Sequence, residues 1–417
     1  KMKSNIILIG KKAKKAIQKK VNYTTKNNVL KSFIFLIEKE KKKILLENRK
    51  DIKFAYKKKI KSNLIERLVL DSKKIKSIKK SVKDIIKLED PINKVLERWK
   101  RPNGLLIRKI STPIGIIGVI YESRPNVTSD VSSLCFKSGN AVILRGGSEA
   151  INTNRILSSL FRKALKINKV DPNFVQFINN RNRKVVDFML SKMINKIDVI
   201  IPRGGKNLIK KVQSVSKIPI IGHLEGICHT YVDKDANLKM ANKIVHNAKL
   251  RNTSICGATE TILFHKKIVK KFCNEILKSL HNNGCKIIGD SFLRKFYKGK
   301  IYVAKEKDWS TEYLSATVSV KCVDSCEEAI KHINKYGTSH TESIITSNKK
   351  TALKFMRDVN SSIVMHNTST QFADGGEFGF GGEVGISTNN LPPRGPVGLN
   401  QLISYKYEVL GKGNIRK

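Results

Sequence analysis

Through the first hundred positions apolar residues recur at helical spacing, separated by lysines. Near residue 104 this gives way to short, nearly unbroken apolar runs. The first regime predicts helices: Asp71 is placed to cap one over 73–88, and Asp90-Pro91 stops it. Residues 105–110 read as extended, and Pro113 introduces an apolar, strand-sized run over 114–121. Strand-like runs at 141–144, 174–178, 197–201 and 218–221 then alternate with helical patterns at 129–138, 149–167, 182–195 and 206–215. Near-continuous apolar strands between helices predict a parallel, doubly wound sheet. A second alternation starts near 248, with strands at 260–264, 316–323, 343–346 and 363–366 and helices at 267–281 and 326–334. A Gly-rich loop at 374–385 and a strand-like tail at 402–409 complete the chain.

A length of 417 residues predicts two or three domains, and 40% hydrophobic residues exclude wholesale disorder. No apolar run approaches the ~20 residues of a membrane span, and the apolar stretch at 6–9 is far too short for a secretory signal. A cytoplasmic protein is the expectation. Charge complicates the picture. Eighty-two basic against 34 acidic residues give a net charge of +48, with 32 basic and 10 acidic residues in the first hundred. Such an excess suggests a polyanion partner. Yet the lysines run around helices without interleaved stacking aromatics, so a solvated surface is expected and nucleic acid is not.

The seven cysteines are an odd number with no Cys-x-x-Cys, and the eight histidines show no ligand spacing, so neither a disulfide framework nor a metal site is expected. A free thiol remains for chemistry. Cys256 lies in Arg251-Asn252-Thr253-Ser254-Ile255-Cys256-Gly257-Ala258, a small, polar stretch ahead of a strand, where a thiolate could be exposed beside main-chain donors. Cys228, beside His229, is the rival, although Thr230 and Val232 suggest a buried strand there. No Gly-x-Gly-x-x-Gly or phosphate-binding Gly-Lys-Ser loop is present, and Gly115 and Gly118 sit inside an apolar run as packing residues. Two other glycine pairs occur where strands give way to helices. Arg145-Gly146-Gly147-Ser148 and Arg203-Gly204-Gly205 each combine an arginine with the N–H groups of a helix start. Each alone suits an ordinary turn; together they point to a phosphorylated cofactor across the sheet edge.

Five separated motifs in order carry a resemblance: Ile120-Tyr121-Glu122-Ser123-Arg124-Pro125-Asn126-Val127-Thr128, Gly139-Asn140-Ala141-Val142-Ile143-Leu144-Arg145-Gly146-Gly147, and the stretches 223–229, 379–388 and 394–399. They resemble the gamma-glutamyl phosphate reductases of the aldehyde dehydrogenase superfamily over residues 1 to 410. Two departures stand out: Gly257 where the family usually has Asn, and Pro392-Pro393 where His-Ala is usual. The resemblance implies NADPH-dependent reduction of L-glutamyl 5-phosphate to glutamate 5-semialdehyde, with release of phosphate, in proline biosynthesis. It makes Cys256 the nucleophile that carries a thioester, with its own N–H and the Asn126 side chain around the oxyanion. Arg145 falls where the superfamily contacts the adenosine ribose. Ser148 replaces a glutamate of NAD-preferring relatives, which favours NADP(H), although Glu149 follows directly. Glu312 resembles the glutamate that holds the nicotinamide ribose. Arg124 and Lys249 are candidates for the substrate-phosphate side. Hydrolytic relatives place a glutamate upstream of the cysteine to activate water; here His223 stands at that position, with Glu225 two residues on. Phosphate rather than water is therefore the expected acyl acceptor.

The expected fold is α/β and aldehyde-dehydrogenase-like. A doubly wound NADP-binding domain would span 1–248, completed by part of 361–417, with an α/β catalytic domain over 249–360. Extended segments near 104–113 and 399–410 would form an oligomerisation element of a homodimer or a dimer of dimers. Glutamate kinase, which would supply the acyl phosphate, is a candidate partner. A hydrolytic aldehyde dehydrogenase and a basic polyanion-binding protein on an enzyme scaffold are the alternatives.

Overall fold

The computed structural model describes residues 2–60 and 62–416. It divides into two compact units. The first holds residues up to Gly222 with Gly379–Gly385 and Pro396 onward; the second is His223–Phe378 with Ile386–Gly395. The division thus falls at Gly222, not at 248, which lies inside the helix Leu238–Leu250. The reason is pairing. Strand Cys228–Val232 sits between Thr259–His265 and Thr341–Ile345 in the second unit's sheet, so the chain has changed units before it.

In the first unit, helices Met2–Ala16, Tyr23–Lys39, Lys41–Lys57, Ser62–Leu68 and Ser72–Lys87 precede the sheet. Ser72–Lys87 shows why such lysine-rich segments fold: Ile75, Ile78, Val82 and Ile85 are buried at three- and four-residue spacing while Lys73, Lys76, Lys80, Lys83 and Lys87 stay in water. Asp71 caps it, accepting a hydrogen bond from the Lys74 N–H at 2.6 Å. The sheet that follows is parallel, in the order Val175–Phe177, Ala141–Arg145, Ile116–Tyr121, Val199–Arg203. Both central strands are buried along their whole length, which accounts for their continuous apolar sequence. The expected strand at 218–221 reduces to a single bridge between Ile200 and Ile220. The extended segments pair with each other: Val95–Lys100, Leu106–Pro113 and Ile403–Leu410 form a three-stranded antiparallel sheet with Leu106–Pro113 in the middle. Its outer strands expose Val95, Leu96, Trp99, Tyr405, Tyr407 and Val409.

The second unit is a seven-stranded parallel sheet in the order Tyr302–Val303, Lys286–Gly289, Thr317–Val323, Thr259–His265, Cys228–Val232, Thr341–Ile345, Ile363–His366. Two separate apolar clusters flank it. One packs helices Leu238–Leu250 and Lys266–Asn282, the other Cys326–Tyr336 and Lys349–Asp358. Helices on both faces are what crossovers between parallel strands require. Among the described residues, no helix is long and apolar enough to cross a membrane.

Candidate active site

Cys256 lies in the irregular segment between helix Leu238–Leu250 and strand Thr259–His265. Buried Gln371 fixes the start of this segment: its amide donates to the Ala248 carbonyl at 2.8 Å, and its Oε1 accepts from Arg251 Nε at 2.8 Å. At the far end, Thr259 Oγ1 lies 2.7 Å from Thr230 Oγ1 and 3.0 Å from Thr370 Oγ1. The Cys228 thiol donates to the Cys256 carbonyl at 3.1 Å.

Of the seven cysteines, all described, only Cys256 is not buried. Burial above all, with nearby carboxylates adding to it, pushes Cys273 and Cys326 up to about 12, and burial pushes Cys285 up to about 11 against the opposing charge of Lys249. Cys228, wholly buried, is raised well above the ordinary thiol value by desolvation and then by Glu342. It therefore stays a thiol that donates a hydrogen bond. Of the two candidate thiols, Cys228 is buried and Cys256 is partly exposed.

Strands Thr259–His265, Cys228–Val232 and Thr341–Ile345 are neighbours in that order, and the residues ahead of their N-termini meet. One ring nitrogen each of His223 and His340 and the Cys256 sulfur all lie within 4.8 Å of one another. The His223 ring stands edge-on to that of His340, 4.9 Å between centroids. His223 Nδ1 meets the Ile386 carbonyl at 2.8 Å, so that nitrogen carries the proton. Glu312 joins the group through the backbone: its Oε1 accepts from the Gly226 N–H at 2.9 Å. His340 had no sequence signal. It is a lone histidine before a strand, and only the strand order brings it to the cysteine.

Lys249 requires a correction. Its side chain is wholly buried and its Nζ lies 2.6 Å from Glu260 Oε2, itself wholly buried. An ammonium so enclosed serves the carboxylate, not a substrate phosphate. Glu260 also accepts from the Leu314 N–H at 3.2 Å.

The remaining candidates belong to the first unit. Arg124 is half-buried at the N-cap of helix Pro125–Lys137, and Asn126 is exposed on its first turn, donating to Asp130 Oδ2 at 3.2 Å. Arg145 and Arg203 end the two strands that flank Ile116–Tyr121, so both stand at the carboxyl edge of the sheet where doubly wound folds bind ligands. The Nε atoms of both are buried without a hydrogen-bond partner among the described residues. Two orphaned guanidinium donors at this edge fit a phosphorylated cofactor. Arg145 otherwise donates to the Gly146 and Arg181 carbonyls, and Arg203 pairs with Glu383 at 3.4 Å.

At Gly204-Gly205 the chain supplies its own anion. Glu122 Oε2 accepts from the Gly205 N–H at 2.8 Å, and a Cβ on Gly204 would meet the Glu122 carboxylate carbon at 2.7 Å. The start of helix Lys206–Val215 thus receives a carboxylate in this state. Glu149, next to Ser148, is occupied too: it accepts from Ser123 Oγ at 2.6 Å and Ser148 Oγ at 3.2 Å, and it lies over Gly147. Arg181 donates to the Ser148 carbonyl at 3.3 Å.

The fold and the cysteine site find their place in one family. The aldehyde dehydrogenase family profile matches residues 3–297 and 300–406, and the chain belongs to that family. It is 46% identical over 410 residues to the gamma-glutamyl phosphate reductase of Thermoanaerobacter pseudethanolicus, covering 98% of this chain and 99% of that protein. The crystal structure of gamma-glutamyl phosphate reductase from Thermotoga maritima superposes with a TM-score of 0.95 at 39% identity, covering 99% of each chain. An acetylating aldehyde dehydrogenase from Geobacillus thermoglucosidasius shares the fold, with a TM-score of 0.71 at 15% identity and coverage of 100% of this chain and 98% of that one. Within the family the chain stands among the gamma-glutamyl phosphate reductases, which are oxidoreductases.

Proposed function

We propose that this chain reduces L-glutamyl 5-phosphate to glutamate 5-semialdehyde with NADPH, releasing phosphate, as a step of proline biosynthesis. The observation that carries the reading is that Cys256 alone among the seven cysteines is not buried, and that it lies beside two imidazoles and the segment in which Gly226 donates to Glu312.

In this reading an imidazole beside the thiol takes its proton, and the sulfur attacks the acyl carbon of the substrate. The phosphate leaves with the bonding pair and a thioester remains on Cys256. The Cys256 N–H and the Asn126 side chain stabilise the oxyanion before each collapse. Bound NADPH supplies the hydride that reduces the thioester. The resulting hemithioacetal then releases the aldehyde, and the sulfur recovers its thiol proton. Arg124 attends the substrate phosphate. Arg145 and Arg203, with the glycines of their two turns (Gly146, Gly147, Gly204 and Gly205), hold the cofactor's phosphates, and Glu312 takes the nicotinamide ribose. Ser148 in place of a carboxylate, with Glu149 drawn aside by two hydroxyls and Arg181 beside it, favours the extra phosphate of NADP(H).

His223 at the hydrolytic position supports phosphate rather than water as acyl acceptor, because a carboxylate base there would spend the thioester on hydrolysis. The exposed apolar strands of the three-stranded sheet support a homodimer or a dimer of dimers, built where those edges meet a second copy. Glutamate kinase, as source of the unstable acyl phosphate, is the partner the chemistry favours. The test is acyl-phosphate-dependent oxidation of NADPH. It should proceed in the wild type and fall by at least ~10³-fold in Cys256→Ser. Unimpaired turnover by that variant would refute the scheme.

A further inference from the structure

We propose that Cys256, His223 and His340 form a site for a divalent transition metal, zinc by preference, that reversibly blocks the thiol. A sulfur and two imidazole nitrogens are the donor set of a three-ligand zinc centre with an open fourth position. Here the three donor atoms lie within 4.8 Å of one another. Tetrahedral zinc, with bonds of ~2.0–2.3 Å, needs donors ~3.3–3.8 Å apart, so rotamer adjustments of about 1 Å close the set.

Two independent observations go beyond proximity. His223 Nδ1 is committed to the Ile386 carbonyl at 2.8 Å, which fixes the proton there and puts the lone pair on Nε2. A carbonyl on the far nitrogen is the usual support of a metal-binding histidine. His340 is wholly buried, with Thr341 Oγ1 2.8 Å from its Nδ1, yet its Nε2 has no hydrogen-bond partner among the described residues. A buried nitrogen left without a partner is costly unless something else engages it, and a metal ion would. Cys228 stays outside the set: its sulfur donates to the Cys256 carbonyl at 3.1 Å and lies 3.6 Å from His340 Nδ1, not from the unpartnered Nε2.

On binding, the Cys256 sulfur loses its proton to solvent and forms the metal–sulfur bond, with no change of oxidation state. The lone pair that would attack the acyl carbon is then held by the metal. This inhibitory consequence rests on Cys256 being the nucleophile; the binding itself does not.

The experiment follows alkylation of Cys256 by iodoacetamide, mapped by mass spectrometry, without substrate or cofactor. Zinc should slow alkylation of the wild type by at least ~10-fold and a chelator should restore it; His340→Asn, compared with its own metal-free rate, should need at least ~10-fold more zinc for the same fractional protection. In parallel, cobalt(II) added to the wild type should give a thiolate-to-cobalt charge-transfer band that Cys256→Ser lacks, a reading that does not depend on the histidine variant folding. Absence of zinc protection in the wild type, equal protection in His340→Asn, or a band that survives in Cys256→Ser overturns the site. Each outcome is independent of turnover, so a failure of the reductase reading would be seen separately.

Discussion

Gly226 and Cys256 touch in a way that only a residue without a side chain permits. A Cβ on Gly226 would lie 2.2 Å from the Cys256 carbonyl oxygen and 2.7 Å from its Cβ. The same Gly226 donates its N–H to Glu312, so one backbone position ties the Cys256 loop to the Glu312 carboxylate. The obstructing atom is main chain and cannot rotate away. Gly226→Ala should therefore displace the Cys256 loop by about an ångström and lower kcat/KM by ~10²-fold with the helical signal intact. Steady-state kinetics and circular dichroism check this; near-normal kinetics would mean the loop is free to adjust.

Cys256 should be the one cysteine alkylated in the native protein, with the other six reacting only after denaturation. Burial shields them and raises their thiols, those of Cys135 and Cys322 as well as the four described above. Peptide mapping after brief iodoacetamide treatment measures it.

The Lys249–Glu260 pair predicts a pH-dependent defect. Burial pushes the Glu260 carboxyl up to about 7 in spite of the ammonium beside it. A carboxyl raised above its unfolded value contributes most below that value, and the contribution is lost as pH rises through the folded pKa, here between 4.5 and about 7. Lys249→Met removes the partner and raises the carboxyl further, so the loss continues above neutrality. The variant should be less stable than wild type by about 3–5 kcal/mol near pH 8, with a smaller deficit near pH 6. Replacing Glu260 by Leu in the same chain should recover most of it. Denaturant titration at the two pH values reads the difference.

Cofactor choice should respond to Arg181. Its Nε holds the Ser148 carbonyl at 3.3 Å and its guanidinium stacks 4.8 Å from the Phe54 ring. Arg181→Ala should cut the preference for NADPH over NADH by ~10-fold, the scale of one charge-assisted hydrogen bond. Ratios of kcat/KM for the two cofactors decide it, and an unchanged ratio removes Arg181 from the selection.

The sequence readings held where local pattern and burial coincide. Ile75, Ile78, Val82 and Ile85 announce their helix, and the fully buried strands Ile116–Tyr121 and Ala141–Arg145 announce a parallel sheet. Small polar neighbours mark out Cys256 in the sequence, and it is the one cysteine of the seven that is not buried. What escaped depends on tertiary order. Strand Cys228–Val232 inserts between two later strands, which moved the unit boundary to Gly222 and carried His340 to the cysteine. Lys249 looked available because a buried partner eleven residues on cannot be read from helical spacing. The segment 218–221 is apolar yet forms one bridge, since Ile218 and Ile221 are buried by packing rather than by a ladder.

The central claim is that the acyl group on Cys256 passes between phosphate and hydride and not to water. The reverse reaction tests it directly: pyrroline-5-carboxylate, in equilibrium with the semialdehyde, is supplied with NADP in buffers with and without phosphate. The account predicts NADP reduction that requires phosphate, is restored by arsenate, and disappears in Cys256→Ser. Robust reduction without either anion, yielding free glutamate, would contradict it.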